Sequence, residues 1–456
     1  MRAIALGGLV LWSAACSDGE AQPCKTDSDC KGDRICGSEG VCVAESENGG
    51  GGSGGGAASS QGGAAVDGGG GGGGGGATGG APSTGGSGGE GGTLVDTCPL
   101  PTEAFEVAVA PSPGANVNRR RAALSIPTGE PAGLYTVDYY QNGSFYSETL
   151  RRFSLSGDTW QNDTVADEQW GFSFATALDT TSGDDPCIVY SDDYDAVVRL
   201  ACASISDRIV APGGASALAV AASGPQKQMV RFEPSSGLLE YFTTDGGTPS
   251  IPVAIDEDIW VTALSVAVDA NGTPHVAYHA EIAGSPDQLE VRYATLTGGS
   301  WQVETVFSET AAPQDQGPGS VSLALDPYGV PSVAYHHLSA RSLEIVSQED
   351  GVFGPAVVLD APQPNFPNDD LGRYVVVQID CYARKRVIYS RSVSTDPQPD
   401  SHLYWGIATP SGLDQRQMVP LLTTFNGWED DLAYEIDAAG HDHIAIMAGA
   451  LQYVTR

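Results

Sequence analysis

Between residues 124 and 447 the chain rewrites one phrase. Two copies are clear: Leu264-Ser-Val-Ala-Val-Asp269-Ala-Asn-Gly272-Thr-Pro274-His-Val-Ala-Tyr278-His, and Val321-Ser-Leu-Ala-Leu-Asp326-Pro-Tyr-Gly329-Val-Pro331-Ser-Val-Ala-Tyr335-His. Each reads as an apolar strand, a tight Asp…Gly-x-Pro turn and a second apolar strand ending in Tyr. Weaker copies follow once the turn Asp is aligned. Asp179 leads into Pro186-Cys-Ile-Val-Tyr190, Asp380 into Arg386-Val-Ile-Tyr389, and Asp437 through Gly440 into His443-Ile-Ala-Ile. Two copies lack the Asp: Ala219-Val-Ala-Ala-Ser223 before Gln228-Met-Val-Arg-Phe, and Leu124-Ser-Ile before Leu134-Tyr-Thr-Val.

Seven starts result. After the second strand a third (Leu289-Glu-Val-Arg-Tyr-Ala) and a fourth (Trp301-Gln-Val-Glu-Thr-Val) complete a unit. Four strands repeating every 40–50 residues or so define a blade of a β-propeller. The last unit has room for three strands only, near 432–437, 442–447 and 450–455, and an orphan strand, Phe105-Glu-Val-Ala-Val-Ala110, precedes the first. Donating that strand to the last blade pairs both open edges. The expected fold is all-β, a seven-bladed propeller closed one-plus-three over residues 98–456.

The front of the chain reads as three further segments. Arg2, the apolar run Ala3–Trp12 and the small residues Ser13-Ala14-Ala15 form a secretory signal, 1–15, too short to span a bilayer. Residues 46–97 are largely Gly, Ser and Ala, a flexible tether whose first fifty or so residues reach roughly 40 Å. Between them, 16–45 carry Cys16 and then Cys24, Cys30, Cys36 and Cys42 at x5 spacings. So short a segment cannot hold a core, so two disulfides are expected to order it. Zinc is the rival use of four cysteines, although x5 spacings without His depart from finger spacings.

The Ser-Ala-Ala-Cys16 junction resembles the lipobox of bacterial lipoproteins, which implies a diacylated Cys16 at the mature N-terminus; it departs from that family at Ser13, where Leu is usual. Ordinary signal peptidase would instead release a soluble secreted protein. Setting Cys16 aside leaves eight cysteines, an even number in an export-competent chain. The Cys24–Cys42 run resembles the small Dickkopf-like modules of myxobacterial surface proteins. Both resemblances imply a cell-envelope address.

Composition narrows the partners. With 57 acidic against 22 basic residues the formal charge is −35, which repels nucleic acid. Arg119-Arg-Arg121 and Arg384-Lys-Arg386 read as solvated turns or ion pairs. Polysaccharide or another surface protein remains, with membrane contact through the lipid alone.

The face carrying the loops into the first strands and out of the second strands is the expected ligand face. Trp170, Trp260 and Trp428 each lie nine residues before a turn Asp, and His279, His336 and His337 leave neighbouring second strands. Tryptophan beside imidazole suits stacking on a sugar ring; wedging between blades is the competing use of the same tryptophans. His441-Asp442-His443 alternates as metal ligands can, but it falls in the turn slot of the opposite face and shows no third ligand, so no metal or other cofactor is expected. Acidic clusters such as Asp192-Asp193-Asp195 and Asn368-Asp369-Asp370 leave structural calcium open.

Three turns between third and fourth strands, Ser154–Trp160, Thr295–Trp301 and Ser347–Phe353, resemble the Asp-box hairpins of sialidase-like propellers. In that family the box is structural, with its aromatic packed between strands. The family's hydrolases also need an arginine triad, and the sequence alone gathers no three arginines on the channel face. The leading expectation is therefore a non-catalytic binding or scaffolding module; the alternative is a glycan-active hydrolase or lyase using His279, His336 and acidic loop residues. Strand direction pairs Cys187 with Cys202 within one blade and Cys98 with Cys381 beside the closing strand, as one of three pairings open to four cysteines.

Overall fold

The computed structural model describes residues 34–36, 42–44, 104–109, 122–125, 131–141, 144–156, 159–168, 172–179, 187–192, 196–202, 208–223, 226–245, 248–282, 285–310, 320–366, 368–393, 400–421, 431–437, 439–448 and 450–456. Two compact units result, one including Thr97–Arg456 and one spanning Asp18–Asp96. In the second, Arg34–Cys36 and Cys42–Ala44 pair antiparallel with Cys36 opposite Cys42. In the first unit every regular element among the described residues is a strand.

Seven antiparallel sheets follow one another along the chain, each adding its strands in sequence order from the inside outward. Their innermost strands are Ala122–Ser125, Phe172–Asp179, Ala217–Ser223, Ile259–Val268, Val321–Leu325, Asp370–Ile379 and Asp431–Ile436, heading blades 1 to 7. Each innermost strand touches the next, and that of blade 7 touches that of blade 1, so the ring closes. Blade 7 consists of Asp431–Ile436, Asp442–Ala448 and Ala450–Thr455, completed by Glu106–Val109. This is the seven-bladed, one-plus-three propeller that the repeat implied. In blade 5 the outer strand is split into Val352–Phe353 and Val357–Asp360, both pairing with Ser342–Glu349.

The core lies between blades rather than within them. One apolar cluster joins blades 3 and 4 through Phe232, Leu239, Val261 and Tyr278, and others join blades 4 and 5, 5 and 6, and 6 and 7. Small inner-strand residues permit this closeness. The repeated Ser of the phrase has a specific use: Ser265 Oγ accepts the Leu323 amide of the next blade at 3.1 Å, and Ser322 Oγ accepts the Val377 amide at 3.0 Å. Both hydroxyls are fully buried, and the bonds satisfy inner-strand amides that no fifth strand covers.

The turn Asp does the same job four times. Asp269, Asp326, Asp380 and Asp437 each accept, on Oδ1, the amides two and four residues ahead at 2.7–3.0 Å. The residue three ahead bonds the Asp carbonyl and takes positive φ: Gly272, Gly329 and Gly440 at 81–85°, and Ala383 at 57°. This Asx turn explains the Asp…Gly spacing.

The Asp-box-like hairpins behave as the resemblance implied. Gly298-Gly299 and Asp350-Gly351 both hold positive φ at the two central positions, the conformation of a type I′ turn. Each hairpin aromatic meets, edge-on, a third-strand tyrosine of the preceding blade: Trp160 with Tyr453, Trp301 with Tyr241, and Phe353 with Tyr293 at 5.1–5.4 Å.

Candidate functional site

On the loop-bearing face, a concentration of ionisable groups lies where blades 4, 5 and 6 meet. Second strands of blades 4 and 5 (Pro274–Ile282 and Pro331–His337) end there with His279, His336 and His337. The first strand of blade 6 starts there with Asp370 and Arg373, and the outer strand of blade 4 ends there with Glu309.

His279 and His336 are 2% and 1% exposed, so both imidazoles lie beneath the surface. His279 Nδ1 pairs with the Thr262 hydroxyl at 2.7 Å. Burial pushes its pKa down to about 4 against the pull of Glu309, and His336 lowers it further, so it is neutral at pH 7. His336 Nε2 lies 2.7 Å from Asp370 Oδ1, an ion-pair distance but off the line of a hydrogen bond. Burial raises the Asp370 carboxyl, yet His336 and Arg373 together hold it well below the ordinary carboxylate range.

His337 is half-buried. Its Nδ1 meets Glu344 Oε1 at 2.7 Å, Nε2 meets Ser339 Oγ at 3.1 Å, and the ring sits edge-on to Phe307 at 4.6 Å. The Glu344 hydrogen bond outweighs partial burial and raises the His337 pKa. Glu309 accepts the amides of Leu338 and Ser339, both at 3.0 Å, tying blade 4 to the blade 5 loop.

The segment before blade 6 was not marked by the sequence pattern as an arginine site. Arg391 pairs with buried Asp369 at 2.7 Å, Arg373 pairs with Asp370, and Arg341 reaches the Asn368 carbonyl at 3.5 Å. Three arginines thus meet one loop, and Arg373 and Arg391 are held by its carboxylates, unlike an arginine triad turned toward substrate. Arg391 takes Asp369 Oδ2 and Arg373 takes Asp370 Oδ2, while His336 lies against Asp370 Oδ1. The same loop presents Phe366, 49% exposed, on a turn held by Phe366–Gln363 and Asp369–Phe366 backbone bonds. The loop has no counterpart in the repeat, and only its Asn-Asp-Asp run drew notice in the sequence.

Trp260 is partly buried in the interface of blades 3 and 4, edge-on to Phe232 at 5.5 Å. Trp170 and Trp428 lie outside the described residues, as do Cys16, Cys24, Cys30 and Cys98. Cys187 and Cys202 stand opposite each other in register. Cys381, on the blade 6 turn, is disulfide-bonded.

The fold and this rim define the chain as a seven-bladed β-propeller protein. No family model matches it, and no curated protein does. Among solved structures it is similar to AofleA from Arthrobotrys oligospora (13% identity, 71% of this chain and 91% of that one, TM-score 0.44). It is also similar to the NanB sialidase from Streptococcus pneumoniae (9%, 76% and 70%, 0.41) and to Kuenenia stuttgartiensis hydrazine synthase (11%, 74% and 95%, 0.45). At those identities and scores the likenesses assign this chain neither ligand nor activity.

Proposed function

We propose that the chain is a cell-envelope lipoprotein, anchored through Cys16, that presents its propeller as a non-catalytic binding module for extracellular polysaccharide or a surface protein. The observation that carries this reading is how the blade 4–6 rim uses its charges. His279 is bonded to Thr262, Asp369 and Asp370 are paired with Arg391 and Arg373, and His336 lies buried against Asp370, while the turn leading into that strand holds Phe366 exposed. A rim stiffened from below, with an aromatic at its surface, suits recognition by stacking. A hydrolase would need an acid or base that reaches its substrate.

The test is a polysaccharide binding and turnover screen with the full chain beside Phe366→Ala. Binding without turnover, weakened about tenfold or more in Phe366→Ala, supports the module. Turnover abolished by His279→Ala or His336→Ala in a folded protein replaces it with a glycan-active enzyme. No binding to any polysaccharide leaves the surface-protein partner, to be sought by cross-linking in intact cells.

A further inference from the structure

On the opposite face, at the foot of blade 7, the turn Asp meets two imidazoles. Asp437 Oδ1 is used by the turn amides, which leaves Oδ2 turned toward the side chains four and six residues ahead. His441 Nδ1 lies 2.9 Å from that oxygen and His443 Nε2 lies 3.2 Å from it. All three donor atoms fall within 4.8 Å of one another. His443 is 6% exposed and its Nε2 has no hydrogen-bond partner, since Asp437 lies off its N–H direction.

The repeat shows what this oxygen does elsewhere. In blade 6 the same positions are Arg384 and Arg386, whose guanidinium nitrogens contact Asp380 Oδ2 at 2.6 and 3.0 Å. There the chain supplies its own cations. In blade 4 the positions are Thr273 and His275, and His275 Nε2 lies 3.9 Å from Asp269 Oδ2. Blade 7 alone among these turns faces the carboxylate with two neutral-capable donors.

We infer that Asp437, His441 and His443 form a binding site for a borderline divalent cation of the zinc type. A tetrahedral ion with bonds of about 2.0–2.1 Å sets its ligand atoms about 3.3 Å apart, close to the two spacings seen at Asp437. Two nitrogens and one oxygen favour zinc, cobalt, nickel or copper over calcium, which takes six to eight oxygens. The support behind the ligands matches this use. His443 Nδ1 is engaged by the Tyr453 hydroxyl, an outer partner that fixes the ring and directs Nε2 at the site. Tyr453 is in turn wedged against Trp160 of blade 1, so the site sits on the seam where the ring closes. His441 is largely exposed, which leaves an outward coordination position for water or for a donor from a partner.

The test is titration of the chelator-treated full chain with zinc(II) alone and with cobalt(II), followed by calorimetry and by cobalt absorption in the visible. His441→Thr installs the blade 4 residue and keeps the turn amide; Asp437→Asn keeps an oxygen for that amide. The expected result is one equivalent bound by the parent chain, at least tenfold more weakly by either variant, with cobalt bands of four-coordination and a melting temperature raised by metal in the parent only. Isotherms that superimpose for parent and both variants overturn the inference, as does failure of the parent to bind one equivalent below about 100 µM. Neither result bears on polysaccharide binding at the other face.

Discussion

Arg386 of blade 6 donates to the Asp442 carboxylate of blade 7 across 3.0 Å, with both side chains wholly buried. The same guanidinium holds Asp380 of its own blade and the Gly440 carbonyl of the next turn. The other Asp442 oxygen takes Arg456 at 2.9 Å, and that guanidinium stacks on Trp405 at 3.7 Å and Phe105 at 4.4 Å. Two carboxylates and two guanidiniums thus bind blade 6 to the closing blade, beside the donated strand.

Removing one partner from such a network leaves the others desolvated without compensation. Arg386→Ala is expected to cost about 3–5 kcal/mol, read from the denaturant midpoint. An Arg386→Ala loss under about 1 kcal/mol would show that water reaches the network.

Ala383 occupies the left-handed position that glycine fills in the turns of blades 4, 5 and 7. Its Cβ carries a steric cost there that glycine does not. Ala383→Gly is expected to stabilise the protein by about 0.5–1 kcal/mol, and Gly329→Ala to destabilise it by a similar amount or more, because a Cβ is strained at its φ of 81° even though the nearest atom, Asp269 Cβ, stands at an ordinary contact distance of 3.4 Å. Paired thermal melts decide both.

What the sequence showed and what it hid divide along these lines. The turn Asp, the repeated Ser and the hairpin aromatics recur at fixed spacing because every blade meets its neighbour in the same way, and recurrence is visible in one dimension. The contact of His336 with Asp370 depends on the segment that enters blade 6, and the loop before that strand belongs to no repeat. Asp437 escaped notice as a ligand for another reason. The alternation His441-Asp442-His443 directs attention along one strand, whereas the third donor comes from across the turn. Aligning His441 and His443 with Arg384 and Arg386 would have exposed it.

Trp260 offers a choice between packing and recognition that stability can settle. Its ring meets Phe232 across the blade 3–4 interface. Trp260→Ala is expected to cost about 2–3 kcal/mol, since part of the ring is already exposed. A variant as stable as the parent but deficient in polysaccharide binding would assign the ring to ligand instead.

Two histidines of the blade 4–6 rim should give the protein opposite responses to pH. His279 is depressed to about 4 from 6.5. Between those values the unfolded chain holds the proton that the folded chain refuses, so stability is full above about pH 6.5 and falls as pH drops toward 4, by on the order of 3 kcal/mol. His337 is raised by Glu344, so its contribution is full below 6.5 and is lost as pH rises through its folded value. Glu344 is held below 4.5: burial raises its carboxyl, but the His337 and Tyr335 hydrogen bonds outweigh that, so its share is lost as pH falls through its own folded value. The stability difference between the parent and His337→Gln should therefore be greatest between about pH 4.5 and 6.5 and shrink on the alkaline side. The difference between the parent and His279→Gln should instead be greatest above pH 6.5 and shrink toward pH 4. Denaturation midpoints across pH 4 to 9 measure both, and a His279→Gln difference that stays flat from pH 7 to 4 would mean that solvent reaches that imidazole in the folded protein.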